Sequence, residues 1–109
     1  MGQEVEVAPD ADGVRLIVCT GVFEYETLGL LRDAGAAAAA DPTVRQIALD
    51  LTGVTHADSS MLSELLFMQR TGRLYLVGHV PQALDRLFDL TGVRELFPLI
   101  GRGAVARAV

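Results

Sequence analysis

The chain has 109 residues, half of them hydrophobic, which suits one small domain with a core of its own. Its formal net charge of −5 argues against a nucleic-acid-binding surface. All 9 of its Lys and Arg residues are arginines, so P-loop proteins, Schiff-base enzymes and receiver domains, which require a lysine, are excluded. No apolar run approaches the ~20 residues of a membrane span and no signal-peptide pattern opens the chain, so we expect a cytoplasmic protein that does not insert into a membrane.

The first predicted element is an N-terminal β-hairpin. Residues 3–7 alternate weakly between polar and apolar side chains, a dense turn signal covers residues 9–13, and residues 14–19 form an apolar strand. The antiparallel start places the first strand near a sheet edge, where its two glutamates discourage pairing with other chains. Cys19 is the only cysteine, so it cannot form an internal disulfide, and we expect it in the core.

A loop and a helix are predicted after the hairpin. Residues 21–26 are expected to form the loop. Residues 27–40 are rich in Leu and Ala and stop at Asp41-Pro42, which predicts a helix. Its small side chains would let it pack closely, although its two glycines each cost up to about 1 kcal/mol relative to alanine.

The central segment is a predicted buried strand that leads into a helix. Residues 47–51 form a short apolar run with few polar interruptions, typical of a strand covered on both faces, and the strand is expected to end at Thr52-Gly53. Residues 54–57 then lead into Asp58-Ser59-Ser60. These residue types favour a helix N-terminus, because their side-chain oxygens accept hydrogen bonds from the free backbone N–H groups there.

The start of this helix gives its two serines alternative roles. A helix N-terminus carries partial positive charge, so a phosphate on Ser59 would add about −1.5 to −2 charges without melting the helix, as a binding switch requires. Alternatively, Ser59 or Ser60 is simply a structural N-cap. Asp58 could cap the helix or position the hydroxyl, and the sequence leaves both roles open.

The last predicted elements are short. Residues 73–78 predict another apolar strand, and residues 82–90 predict a helix that ends at Gly92. Residues 93–97 are expected to add one helical turn, and residues 99–100 a short edge strand.

The order of these elements predicts an α/β domain with parallel crossover units and an antiparallel first strand. We expect a single domain over residues 1–109, with its core over about residues 14–100 and a loose tail over residues 101–109. Functional sites in such sheets lie beyond the carboxyl ends of the parallel strands. Asp58 and Ser59 fall at that end.

Two stretches of the sequence resemble the STAS domain of bacterial anti-sigma factor antagonists. The first is LDLTGVTHADSS, which is followed by an apolar helix and the strand RLYLVG, and the second is PQALDRLFDLTGVRELFPLI. The resemblance covers about residues 14–100. It implies a mixed central sheet of about four to five strands with helices packed on it.

In that family, the serine directly after the aspartate is phosphorylated by a partner, an anti-sigma factor that is itself a serine kinase. By resemblance this residue is Ser59, with Ser60 as second choice, and the partner-binding residues are Asp58, Ser59, Ser60 and Met61. The resemblance implies a cofactor-free module of sigma factor and transcription regulation that docks on the kinase when unmodified. Two features depart from the family: Met61 replaces a usual glycine, and the following helix is shorter.

Two other functions remain open. One is a non-switching STAS scaffold subunit of a stress-signalling or lipid-transport complex, which the two departures favour. The other is a serine hydrolase, which we do not expect because the Gly-x-Ser-x-Gly elbow is missing. In such an enzyme Ser59 would be the nucleophile. The base would be His56 or His79, and the residue that orients the base would be Asp58 or Asp85. The histidines and the cysteine match no metal-ligand spacing, so we expect no metal site.

Overall fold

The structure, a computed structural model, describes residues 2–100. Five strands and three helices make up most of this range. The strands are β1 (Gln3–Val7), β2 (Val14–Phe23), β3 (Gln46–Ala57), β4 (Leu74–Val77) and β5 (Leu99–Ile100), and the helices are α1 (Gly29–Ala40), α2 (Ser59–Met68) and α3 (Gln82–Thr91). The expected loose tail, residues 101–109, lies outside the described residues.

The strands form one mixed sheet in the order β1-β2-β3-β4-β5. β1 is an antiparallel edge strand, with Val5 opposite Cys19, and the other neighbouring pairs are parallel. The predicted α/β fold is therefore confirmed, including the N-terminal hairpin, the crossover units and the short edge strand at the end.

The main core lies between one face of the sheet and the three helices. Because side chains alternate across a strand, Ile17 and Cys19 on β2 and Leu49 and Leu51 on β3 point to this face. The helical members of the same cluster are Leu31, Ala38, Met61, Leu62, Leu65, Met68, Leu84 and Phe88. The opposite face carries a smaller cluster of Ala48, Tyr75 and Val77.

Strands β2 and β3 are longer than the sequence predicted. The expected loop over residues 21–26 is wrong in its first part, since β2 continues to Phe23, and the expected end at Thr52-Gly53 is wrong, since β3 continues to Ala57. The two strands pair with each other along this extension, up to Phe23 opposite Ala57, with register shifts at two points. The extension carries β3 directly to Asp58.

Helix α1 begins two residues later than predicted and packs closely against α2. A short 3-10 turn, Tyr25–Thr27, precedes it. Gly35 is buried, and a Cβ atom there would lie 3.0 Å from the Met68 methyl group, so the absence of a side chain allows the close approach. The Arg73 guanidinium donates to the Ala39 carbonyl at 2.9 Å, which satisfies one of the free acceptors at the end of α1.

The C-terminal elements follow the prediction. Helix α3 ends at Gly92, whose φ of 70° is the left-handed conformation that glycine adopts without strain. The predicted extra turn is a 3-10 helix, Arg94–Leu96, and it brings Phe97 into a stacked contact with Phe88 at 5.2 Å between ring centroids. This contact packs the segment before β5 against α3.

Candidate functional site

The candidate site is the junction between β3 and α2. β3 ends at Ala57 and α2 begins at Ser59, so Asp58 is the only residue between strand and helix. The junction lies at the carboxyl end of a parallel strand, where the order of elements predicted a site.

Asp58 is the N-cap of α2. Its backbone is extended, with φ −116° and ψ −175°, and its Oδ1 atom accepts hydrogen bonds from the backbone N–H groups of Ser60 at 2.9 Å and Met61 at 3.3 Å. The alternative that Ser59 or Ser60 caps the helix is therefore wrong. The sequence left the role of Asp58 open, and the structure assigns it the cap.

Ser59 occupies the first position of α2 and is exposed to solvent, while Ser60 is half-buried. Because Asp58 serves the free N–H groups, the Ser59 hydroxyl is not required for capping. Met61 is fully buried in the main core. Its side chain cannot contact a partner, so the prediction that Met61 belongs to the partner-binding residues is wrong, and Asp58, Ser59 and Ser60 are the members that reach the surface.

The second oxygen of Asp58 connects the site to the turn before α1. Its Oδ2 atom accepts a weak hydrogen bond from the Tyr25 backbone N–H at 3.4 Å. The Tyr25 ring is 75% exposed beside the junction. Tyr25 was not among the predicted site residues, because residues 21–26 were predicted as a loop and nothing in their pattern indicates which strand end they approach.

The surface beside Asp58 is acidic. Glu24 and Glu26 line a shallow pocket together with Asp58 and Tyr25. His56 lies beside this pocket, with its Nε2 atom 3.6 Å from Glu24 Oε2, and both side chains are about half exposed. Within the described residues, neither Glu26 nor Asp58 forms an ion pair with an arginine.

A groove runs from this pocket along the contact between α1 and α2. We call it the α1–α2 groove, and its lining residues are Tyr25, Leu28, Arg32, Ser60, Ser63, Glu64 and Phe67. The Arg32 guanidinium donates to the Glu64 carboxylate at 3.1 Å across its middle. Phe67, at its far end, is 61% exposed and lies under the guanidinium of Arg70, 5.6 Å from the ring centroid.

Two of the residues considered for the hydrolase alternative form contacts elsewhere. The backbone N–H of His79 donates to Thr52 Oγ1 at 3.0 Å. Asp85, on α3, forms an ion pair with Arg94 at 2.7 Å. Among residues 2–100, none of the hydrogen bonds joins the Ser59 hydroxyl to a histidine. The same residues contain no group of three or more potential metal ligands and no helix long and apolar enough to span a membrane.

Sequence comparison identifies one family. The sequence model described as "Mlab, STAS domain" matches residues 7–101 of the chain. No curated protein matches.

Solved structures extend this similarity to the fold. An anti-sigma factor antagonist from Mycobacterium paratuberculosis is 27% identical, over 90% of this chain and 85% of that one, with a TM-score of 0.77. The Bacillus cell fate determinant SpoIIAA in its phosphorylated form is 17% identical, over 97% and 100% of the two chains, with a TM-score of 0.74. A putative antagonist from Thermotoga maritima is 15% identical, over 97% and 92%, with a TM-score of 0.75.

Proposed function

Since the chain belongs to the STAS domain family, we propose that it is an anti-sigma factor antagonist-like module, controlled by phosphorylation of Ser59 by a partner anti-sigma serine kinase. The unmodified module binds the kinase and so frees a sigma factor, and the phosphorylated module lets go. The observation that carries the proposal is the solvent-exposed Ser59 at the start of α2, next to a cap that Asp58 provides. Its hydroxyl is accessible without any unfolding of the helix.

The comparisons support the antagonist class. The Mycobacterium paratuberculosis protein is an anti-sigma factor antagonist, and SpoIIAA is a protein for which a phosphorylated form has been solved. For this chain, the phosphate, the kinase, the role in transcription and the cytoplasmic location are parts of our proposal. They rest on the position of Ser59 and on the resemblance of the LDLTGVTHADSS segment to the family.

Release would follow from charge at the contact surface. A phosphate adds about −1.5 to −2 charges beside Asp58, at a point where the kinase brings the phosphates of its own nucleotide. Like charges in a contact repel each other, and a loss of about 3 kcal/mol weakens binding more than a hundredfold. The partial positive charge at the N-terminus of α2 tolerates the phosphate in the unbound module, so the fold persists.

The test is a phosphorylation and binding experiment with the kinase captured by the wild-type module. We expect the kinase and ATP to add one phosphate to Ser59, located by mass spectrometry, and none to Ser59→Ala, while the matched control Ser60→Ala is still modified. Ser59→Asp and Ser59→Glu should weaken kinase binding. Undiminished binding by both acidic variants, or a phosphate only on Ser60, would contradict the proposal.

A non-switching scaffold subunit is the second candidate. The acidic surface favours it, because Glu24, Glu26 and Asp58 would repel a phosphate on the neighbouring Ser59. In this case the module binds its assembly in one state, and neither ATP nor the acidic variants change the affinity. The same experiment separates the two candidates.

We propose no catalytic role for Ser59. His79 and Asp85 form contacts elsewhere, His56 lies beside Glu24, and the Asp58 carboxylate caps α2, so these side chains are engaged in other contacts than those that a nucleophilic serine needs. A serine-directed acylating probe should leave the folded module unlabelled. Stoichiometric labelling of Ser59 would instead support a nucleophilic role for this serine.

A further inference from the structure

We infer that the α1–α2 groove is a second docking site for the same partner, and that it takes an amphipathic helix whose acidic end lies at Phe67, the end of the groove away from Ser59. This inference rests on the proposed function, because the occupant is part of the kinase that acts on Ser59. It adds a contact that extends from the junction along α1 and α2 and determines the orientation of the partner.

The groove has the surface that a partner helix needs. It runs between two helices and begins beside Asp58, so it is continuous with the surface around Ser59. Leu28 is buried in its floor, and the exposed rings of Tyr25 and Phe67 stand at its two ends. Exposed aromatic side chains around an apolar floor are the typical anchors of a protein interface, and an amphipathic helix fills such a groove with its apolar face.

The middle of the groove carries no net charge. Glu64 is only 9% exposed, and its carboxylate is paired with Arg32 at 3.1 Å. A partner that contacts this point therefore meets a neutral pair, which permits an apolar side chain there.

The two ends of the groove have opposite charge. Tyr25 also lines the acidic pocket of Glu24, Glu26 and Asp58. At the other end, Arg70 lies over Phe67 and forms no ion pair within residues 2–100. Charge complementarity therefore selects a helix with acidic residues toward Phe67, and the acidic pocket disfavours the reversed orientation, as a phosphate on Ser59 also would.

Docking in the groove and release by phosphate act at different points. Ser59 faces the part of the kinase that delivers the phosphate, whereas the groove extends from the junction along α1 and α2. The groove can thus supply affinity and orientation while the charge on Ser59 decides whether the complex persists.

The test measures the affinity of the purified, captured kinase for variants of the full chain. We expect Phe67→Ser to weaken binding by about tenfold, as for an interface anchor. Leu90→Ser is the matched control, because Leu90 is 76% exposed on α3 and lies outside the groove, and its affinity should stay within about twofold of wild type.

A second pair of variants tests the charge polarity. Arg70→Glu should weaken binding severalfold, and the loss should shrink at high salt, because the interaction is electrostatic. Arg86→Glu changes the net charge equally at an exposed position of α3 and should have little effect. Urea denaturation of each variant establishes that the fold is retained.

The outcomes distinguish this inference from the proposed function. If Phe67→Ser and Arg70→Glu bind the kinase like wild type while Ser59→Glu binds weakly, the groove is not a docking site and the switch stands. If Phe67→Ser and Leu90→Ser weaken binding equally, the groove is again rejected. If the wild-type chain binds no serine kinase, the proposed function fails and the groove loses its occupant.

Discussion

At the scale of single residues, the division of labour between Asp58 and Ser59 determines what each substitution should do. Asp58 binds two N–H groups of the first turn of α2, whereas Ser59 is exposed. We expect Asp58→Ala to lower the free energy of unfolding by about 0.5 to 2 kcal/mol, as for other N-caps. Ser59→Ala should change it by no more than about 0.5 kcal/mol. Urea denaturation measures both free energies of unfolding. An equal loss in the two variants would contradict the assignment of the N-cap to Asp58 alone.

Cys19 provides a second residue-scale prediction. Its side chain is fully buried between β2 and the helices, and burial, followed by the nearby Asp50 carboxylate, raises the pKa of its thiol to about 12. The reactive thiolate is therefore almost absent at pH 8 in the folded chain. A disulfide reagent such as DTNB should react slowly with the native protein at pH 8 and rapidly in guanidinium chloride. Equal rates in the two conditions would show that the site opens to solvent.

The capping role also shows what sequence can predict about the site. The residue types Asp58-Ser59-Ser60 were enough to place a helix start and an exposed hydroxyl, because all three favour that position. They were not enough to decide which one caps, since the decision depends on the backbone angles of Asp58. The burial of Met61 depends on the direction in which α2 leaves the strand, and one substitution in a family pattern does not encode that direction.

At the scale of secondary-structure elements, β2 and β3 show why their ends were misplaced. Glycines at positions 21 and 53 are typical of turns, and the sequence was interpreted that way. In the structure, Gly53 lies within a pairing of the two strands, where a Cβ atom would be 3.1 Å from Thr20 Oγ1, so the glycine serves close approach within the sheet. Pairing between strands that are distant in sequence overrides a local turn signal.

The close contact between β3 and the residue that follows β4 gives a prediction at this scale. Gly78 follows β4 with φ 78°, and a Cβ atom there would lie 2.5 Å from Thr52 Oγ1 and 3.1 Å from Asp50 Oδ1. Gly78→Ala is therefore strained twice, in its backbone and in its contacts, and should cost at least about 1 kcal/mol of unfolding free energy.

The control for this substitution is Gly29→Ala. Gly29 begins α1 with ordinary backbone angles, and a Cβ atom there meets no heavy atom within 4 Å. Its thermal midpoint should equal or slightly exceed that of wild type, because alanine loses less chain entropy on folding than glycine. A similar fall in both variants would mean that crowding around Gly78 is not the cause.

At the scale of the whole molecule, one arginine joins the N-terminal hairpin to the end of α1. The Arg15 guanidinium lies 2.8 Å from a carboxylate oxygen of Asp10 and 2.8 Å from one of Asp41. Hydrogen bonds from Arg15 hold the pKa of Asp10 below its usual range. The pKa of Asp41 is lowered mainly by the hydroxyl and amide of Thr43, and then by Arg15.

These lowered pKa values predict how stability depends on pH. A carboxyl whose pKa is lower in the folded chain stabilises the fold above its ordinary pKa of about 4, and the contribution disappears as the pH falls through the folded value. The urea midpoint of wild type should therefore fall between pH 5 and pH 3 more steeply than that of Arg15→Gln. Arg86→Gln, at an exposed position without an ion pair in residues 2–100, should retain the wild-type slope. Parallel curves for wild type and Arg15→Gln would remove the link.

The architecture was the part most accessible from sequence. A sheet whose strands alternate with helices has few topologies open to it, because crossover connections are right-handed and neighbours in sequence tend to be neighbours in space. The order of apolar segments thus predicted the sheet, while the acidic pocket and the α1–α2 groove arise from segments that meet only in the folded chain.

The direct passage from β3 through Asp58 into α2 has a further consequence for any enzyme that modifies Ser59. No flexible loop surrounds Ser59, so the serine cannot bind in a substrate cleft in an extended conformation while the chain is folded. Recognition has to be of a shape assembled from several parts of the chain, and a synthetic peptide spanning residues 50–66 should be a far poorer substrate than the intact protein. Such an enzyme would not modify the same sequence in an unfolded chain.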